Sequence, residues 1–437
     1  MKLRIVTNIC TILCILPSVC FGQAKLTIDE CVTSALTHNR SIQLSQQNAN
    51  IAAGRVKESR GANNPQLNLF GRAQDRSDDK LLPLAVGIDN QNLIIHDFPI
   101  VPNASSSYGI SVSQIIDYGG MIHAGTNLAK IDAQSAGLNI SSTCNDVVFQ
   151  TKLAYYDVLR SEELLSVAQE AIKNAETRKH TAQALVDTGI ASRVDVIRAD
   201  ASISASQQSY ISAANAIKVT KSIVNRILGV DVNTAFDAVK PVESDITLQP
   251  YDIYLNEALT NRPEAAIASK NISAAGLRYK LANNGMSPSV VVSASAQIDS
   301  VHQVEQDKNA SIGLAVVFPL SDGGVTNGRK EQAKAGIESA KIAAEDTIAA
   351  ISLQVKMAYV HVQNSTERLA TAKKEFDQAT ESLRLSRSRY TEGMASQVEL
   401  SDAELVFTQA QTNVVNARYD QLSSLAELER AIGKNAK

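Results

Sequence analysis

The residues able to do chemistry are few and scattered. The six histidines stand at 38, 96, 123, 180, 302 and 361. None has a second histidine at helical spacing or a nearby cysteine at metal-ligand spacing, so they define no zinc or catalytic-metal motif. Asp195, Arg198 and Asp200 are close enough in sequence for acid–base work, but such a spacing equally describes a solvated helix face. The pairs Gly119-Gly120 and Gly323-Gly324 fail the G-x-G-x-x-G pattern of a phosphate cradle, and their repetition at strand ends reads as a hinge. There is no nucleophile elbow, phosphate loop or zinc motif. The sequence therefore predicts no catalytic, metal-binding or cofactor-binding residues, and a protein that is not an enzyme.

What positions these residues is a duplication. Thr188-Gly189-Ile190-Ala191-Ser192-Arg193-Val194-Asp195 returns 204 residues later as Glu392-Gly393-Met394-Ala395-Ser396-Gln397-Val398-Glu399. The same offset superposes Gly109 on Gly313, Gly119-Gly120 on Gly323-Gly324, Ala154-Tyr155 on Ala358-Tyr359 and Gly229 on Gly433. An offset of 223 superposes Ala35-Leu36-Thr37 on Ala258-Leu259-Thr260, Arg55 on Arg278 and Pro65 on Pro288, which leaves 19 extra residues between Pro65 and Gly109 in the first copy. The expected organisation is a signal peptide over 1–22, a first repeat over 23–229, a linker or equatorial region over 230–250 and a second repeat over 251–437.

Composition fits long helices better than a thick globular core: aromatics are 4% of the chain and Trp is absent. Removing Lys2 and Arg4 with the first 22 residues takes the net charge from −3 to −5, and neither value points to nucleic acid. Lys2 and Arg4, an apolar run from Ile9 to Leu16 and a small-residue exit around Ser18 to Gly22 predict an export signal. Cys20 raises lipidation as an alternative, although Pro17-Ser18-Val19 departs from the usual sequence before such a cysteine. Export permits a disulfide between the two later cysteines, Cys31 and Cys144, with two thiols the other reading.

The periodicities alternate between two kinds. A helical pattern over 26–63 ends at Pro65, a strand follows over 66–76, and 77–106, with Pro83, Pro99 and Pro102, reads as a long loop. Further strands are predicted over 107–117, from Val290 to Asp299 and from Ile312 to Leu320, each close to the length that crosses a bilayer when tilted. No helical stretch is apolar enough to do so. From Met121 to Asp187 the chain holds about 67 residues of uninterrupted helix, roughly 100 Å of rise. Leu369, Ala372, Phe376, Ala379, Leu383, Ser386 and Tyr390 form a coiled-coil seam, matched in the first copy by Leu165, Ala168, Ile172, Ala175, Lys179, Ala182 and Val186. Return helices are expected over 192–228 and 396–432. The fold class is thus mixed: antiparallel helical coiled coil joined to four amphipathic strands. Strands survive in lipid only in a closed barrel of at least eight, so four per chain demand an oligomer. The alternative is an exported periplasmic coiled-coil adaptor or structural protein without a pore.

In this order and duplication, the Ala258 to Glu264 segment Ala-Leu-Thr-Asn-Arg-Pro-Glu, the strand exits at Gly119-Gly120 and Gly323-Gly324 and the paired turns at Gly189 and Gly393 resemble the TolC-like outer-membrane factors over essentially all of the mature chain. The resemblance implies a homotrimer, a twelve-stranded transmembrane β-barrel continuous with a coiled-coil α-barrel, and a position in the outer membrane extending into the periplasm. It also implies a passive exit duct for efflux or type I secretion, with a periplasmic adaptor and an inner-membrane transporter as partners and outer-membrane lipid as surroundings.

The same resemblance assigns a periplasmic gate. Asp195 and Tyr390 match positions that link neighbouring coils, and Glu399 and Asp402 match an acidic ring at the entrance that favours cations. The family's gate arginine is here Ala395, so the lock is either looser or rebuilt from Arg193, Arg387 or Arg389. Ile190 and Met394, apolar beside turn glycines, match the adaptor-docking tip; capping the coil from below is the competing role. The exported substrate and the pump class are not written in the sequence.

Overall fold

The computed structural model describes residues 24–75, 77, 80–89, 92–101, 104–241, 247–301 and 304–434. The expected signal peptide over 1–22, with Cys20, lies outside them. The elements run β1 (Ala24–Leu26), α1 (Ile28–His38), α2 (Arg40–Gly61), β2 (Gln66–Asp75), β3 (Lys80–Asp89), β4 (Asn92–Val101), β5 (Ala104–Ile116), α3 (Met121–Asp187) and α4 (Arg193–Leu228). They continue with β6 (Phe236–Ala238), α5 (Tyr251–Asn261), α6 (Pro263–Asn283), β7 (Ser289–Val301), β8 (Val304–Val317), α7 (Val325–Thr391) and α8 (Gln397–Ala431). Two compact units result, one of Met1–Ile42, Cys144–Leu255 and Gln354–Lys437, the other of Gln43–Thr143 and Asn256–Leu353. Each draws on both sequence copies.

The second unit holds an antiparallel sheet in the order β2-β5-β7-β8. Its register carries the alternation of each strand into a two-faced surface. Leu67 pairs with Val112, Val112 with Ala294 and Ala294 with Ile312; one pleat along, Leu69 pairs with Ile110, Ile110 with Ala296 and Ala296 with Ala310. The opposite face carries Asn68, Ser111, Ser295 and Ser311 in one row, and Phe70, Gly109, Gln297 and Asn309 in another. Large apolar side chains stand bare on the first face, Leu69 at 83% and Ile312 at 86% exposure. β2 and β8 are edge strands whose outer edges have no strand partner among the described residues.

Three expectations need correction. The loop expected over 77–106 contains a hairpin, β3 paired antiparallel with β4, so the segment between α2 and α3 holds four strands where two were anticipated. Pro83 and Pro99 fit because a two-stranded ribbon needs only one edge of each strand bonded, and a register shift falls between Lys80 and Leu81 beside Pro99. The helix expected over 26–63 breaks at Asn39, whose extended backbone ends α1 while its carbonyl Oδ1 accepts the Ser41 N–H at 2.8 Å. Its duplicate, 223 residues on, is Arg262, where Pro263 forces the same break between α5 and α6. In the region 230–250, expected as a linker or equatorial region, β6 pairs in parallel with β1, and the buried Tyr155 hydroxyl lies 2.8 Å from the Leu26 carbonyl and accepts the Val239 N–H. β8 also starts earlier and ends earlier than its apolar alternation suggested.

In the first unit the long helices pair antiparallel. From Lys152–Glu429 through Arg160–Asp420 and Arg418–Glu163 to Arg178–Glu404, residue numbers rise in α3 as they fall in α8. The same inverse order relates α7 to α8 through His361–Glu427, Asn413–Glu375 and Arg389–Glu399. Lys221–Glu162 and Lys179–Asp200 relate α3 to α4. α8 therefore lies against both α7 and α3, which joins the hairpin of the second copy to that of the first. The alanine-rich seam is buried as expected: Ala175, Ala182, Ala379 and Leu383 are all within the core. Cys31 and Cys144 are free thiols, which selects the second of the two sequence readings. Burial pushes the Cys31 thiol up to about 12, so it is inert at neutral pH.

Candidate functional site

Both turns between long helices end in the same backbone device. Gly189 and Gly393 adopt φ of 78° and 74°. Gly189 N–H donates to the Val186 carbonyl and Ile190 N–H to the Leu185 carbonyl; Gly393 N–H donates to Tyr390 and Met394 N–H to Arg389. These are Schellman closures, which need a left-handed residue at the glycine position and cap orphan carbonyls. Return helices start on serines: Ser192 Oγ accepts the Val194 N–H, and Ser396 Oγ accepts the Glu399 N–H. Ile190 and Met394, the residues after the glycines, are exposed.

The candidate gate residues gather beside these turns but do not form one network. Asp195 caps its own helix by accepting the Ser192 N–H at 3.2 Å, and its backbone carbonyl accepts the Gln397 side-chain amide at 2.7 Å. Tyr390 is buried, and its hydroxyl has no hydrogen-bond partner. Burial, and next the Asp195 carboxylate, push its phenol up, while Arg178 acts in the opposite sense. Glu399 pairs with Arg389 at 2.6 Å, and Asp402 is exposed. Of the three arginines considered as substitutes at the lock, Arg389 holds Glu399, Arg387 reaches Asn174 at 3.2 Å and Glu404 at 3.8 Å, and Arg193 is exposed.

The sequence reading missed the most buried charges of this region. Arg178 and Glu404 form an ion pair with side chains only 3% and 10% exposed. Burial raises the Glu404 carboxyl above the ordinary glutamate value even though Arg178 and Arg387 oppose the shift. The seam pattern singled out Lys179, but that side chain turns to Asp200 of α4 at 2.6 Å, whereas Arg178 turns to α8. The available signal was a basic residue flanking an alanine seam in one copy and an acidic one, Glu404, flanking Ala403 in the other. Arg178 Nε, Tyr390 Oη and Gln397 Oε1 are all buried without a hydrogen-bond partner. Each such atom costs roughly 1–3 kcal/mol of desolvation.

In the other unit, the strand-to-helix glycines have two distinct roles. Gly120, Gly323 and Gly324 have φ of 67°, 65° and 94°. Gly119 instead allows close approach, because a Cβ there would lie 2.9 Å from Ser287 Cβ. Aspartates cap the helices that follow: Asp117 accepts the His123 N–H at 2.9 Å, and Asp322 accepts the Thr326 N–H at 2.7 Å. Among the described residues, no group of three or more His, Cys, Asp or Glu side chains is placed to hold a metal ion, and no helix is long and apolar enough to cross a membrane.

Amphipathic strands that pass through paired glycines into long helices are the features of a TolC-like channel protein of the outer membrane. The family profile described as outer membrane efflux protein matches residues 31–230 and 254–434, and the chain belongs to that family. It is 22% identical over 336 residues to the outer membrane efflux protein BepC of Brucella suis biovar 1, covering 74% of this chain and 73% of BepC. It is 21% identical over 300 residues to the alkaline protease secretion protein AprF of Pseudomonas aeruginosa, covering 66% of this chain and 61% of AprF. The crystal structure of the outer membrane protein VceC from Vibrio cholerae shares the fold, with a TM-score of 0.75 at 17% identity over 93% of this chain and 96% of that one. The protein is an outer-membrane efflux channel by family, and that family comprises channels rather than enzymes.

Proposed function

We propose that three copies of this chain assemble into one passive exit duct, each giving four strands to a closed twelve-stranded barrel and its long helices to a periplasmic tunnel. The observation that carries this reading is the sheet register. It aligns Leu67, Val112, Ala294 and Ile312 on one face and Asn68, Ser111, Ser295 and Ser311 on the other. A two-faced sheet with bare edges at β2 and β8 is costly in lipid until other copies close those edges. Closure turns the apolar face to lipid and the serine and asparagine face to water. An adaptor or structural protein without a pore has no use for such a register.

In this reading Gly119, Gly120, Gly323 and Gly324 turn strands into tunnel helices, and Ile190 and Met394 meet the periplasmic adaptor at the tips. Asp195, Tyr390, Glu399 and Asp402 belong to the gate, and an inner-membrane transporter supplies the energy. The units of function are the two repeats, 23–229 and 251–437, joined through 230–250 after removal of 1–22. The similarity to the efflux protein BepC and the protease secretion protein AprF supports efflux and protein secretion respectively, and a duct's weak contact with cargo suits either. Chemical cross-linking of the purified protein in detergent tests the assembly. A ladder ending at three chains is expected; one ending at a single chain contradicts it.

A further inference from the structure

We infer that the β3–β4 ribbon is a docking surface for a second copy of this chain, and that the ribbons of three copies pack face against face as a collar at the exit of the duct. The inference rests on the three-copy reading above. All four strands of the sheet join their helices at one end, marked by the pairs Gln66–Ser113, Ile116–Val290 and Ser289–Val317. At the opposite end the sheet stops at Asp75–Ala104, Ser105–Val301 and Val301–Val304. Only β3 and β4 continue from there: four residues separate β2 from β3, and two separate β4 from β5. The ribbon has ten residues in each strand, a length of about 30 Å. It leaves the sheet on the side away from the helices, which is the outer side of an outer-membrane channel. Among the described residues no third strand pairs with it.

Both faces of the ribbon are apolar and bare. Leu84 pairs with His96 and Ala85 with Ile95, so Leu84 and Ile95 stand on opposite faces, at 47% and 59% exposure. Leu93, at 65%, shares the face of Ile95. From Lys80 to Val101 the sequence carries no Asp, Glu, Lys or Arg except Lys80, Asp89 and Asp97. A two-stranded ribbon is marginal in water by itself, so a ribbon of this composition needs cover on both faces. In a closed ring of three, each copy meets two neighbours through two different surfaces, which matches the two bare faces. The turn Asp89-Asn90-Gln91-Asn92 is polar and suits water, not the interior of a lipid layer. Pro83 and Pro99 lack the N–H that an added strand would use, so the free edges resist ladder growth and contact falls to the faces. β2, from which β3 continues, is an edge strand of the sheet, so ring closure sets the ribbon beside the seam between copies.

The test is disulfide trapping in the purified full chain, with L84C/I95C and, independently, L84C/L93C. The two replaced positions of either pair lie on opposite faces of one ribbon, so they cannot bond within a chain. Oxidation is expected to join position 84 of one copy to position 95 or 93 of the next, and to convert the monomer band of a non-reducing gel into a ladder ending at three chains. Wild type, which keeps Cys31 and Cys144, and the single variant L84C are expected to stay at the monomer position. Amine cross-linking reports separately whether a double variant assembles, and where one does not, the other decides. Double variants that assemble as three chains but remain monomeric after oxidation overturn the ribbon contact, assign the ribbon to lipid or a foreign protein, and leave the channel reading standing. A wild type that amine cross-linking never carries beyond a single chain overturns both.

Discussion

The side-chain amide of Gln397 donates to the backbone carbonyl of Asp195 across 2.7 Å, which ties the first turn of α8 to the first turn of α4. The two residues begin the return helices of the two sequence copies, so this bond joins the copies next to their turns. Replacing Gln397 by Glu puts an oxygen where the donating amide nitrogen stands and is expected to cost at least about 1 kcal/mol. The chemical-denaturation midpoint of the assembled protein should fall accordingly. An unchanged midpoint contradicts the contact.

Tyr390 behaves differently because its hydroxyl is buried and makes no hydrogen bond. Tyr390→Phe removes a desolvated polar atom that makes no hydrogen bond. The unfolding midpoint is expected to stay or rise, and channel conductance to stay at the wild-type level. A conductance rise in Tyr390→Phe would show that the phenol itself closes the gate.

The turn glycines and the helix glycines should respond with opposite signs. Gly189→Ala and Gly393→Ala place a Cβ on a left-handed residue and are expected to cost roughly 1–2 kcal/mol each. Gly137, inside α3 with open space around it, should gain about 0.5–1 kcal/mol on replacement by Ala. Denaturation midpoints of the three variants check the pattern, and a shared sign contradicts it.

Thiol chemistry separates Cys31 from Cys144. Without reductant, the native protein should alkylate only at the half-buried Cys144, and the denatured protein at both. Cys31 is fully buried with its thiol at about 12, so it presents neither access nor thiolate. A denatured, unreduced protein with no reactive thiol at either position contradicts the free pair.

Acid should act through the helix caps. Hydrogen bonds from Thr326 hold the Asp322 carboxyl below its ordinary value of 3.8. A depressed acid stabilises the folded state above its unfolded pKa, and that contribution is lost as pH falls through the folded one. Wild type should therefore exceed Asp322→Asn in stability at neutral pH, with the difference closing below about pH 4. A pH-independent difference contradicts the cap.

Much of this architecture was legible in the chain. The spacing of 204 between Gly189 and Gly393 located both turns, and the uninterrupted run from Met121 to Asp187 coincides with α3. Alternation identified β2, β5, β7 and β8, because a two-faced sheet demands it of every strand. The β3–β4 hairpin was hidden because Pro83 and Pro99 speak against strands, and only its two-stranded pairing makes them harmless. Arg178 was hidden by geometry. A heptad describes one seam, but α3 packs against α4 through residues such as Lys179 and against α8 through Arg178, so a single-seam reading finds only one face. Asn39 breaks a helix without proline through its own side chain, which periodicity does not register.

Planar-bilayer recording of the wild-type protein tests the central claim most directly. A duct closed by three copies, with Glu399 and Asp402 at its entrance, predicts discrete conductance steps and a reversal potential on the cation-selective side. Purified, protease-resistant trimers that add no steps to the bilayer would contradict the account.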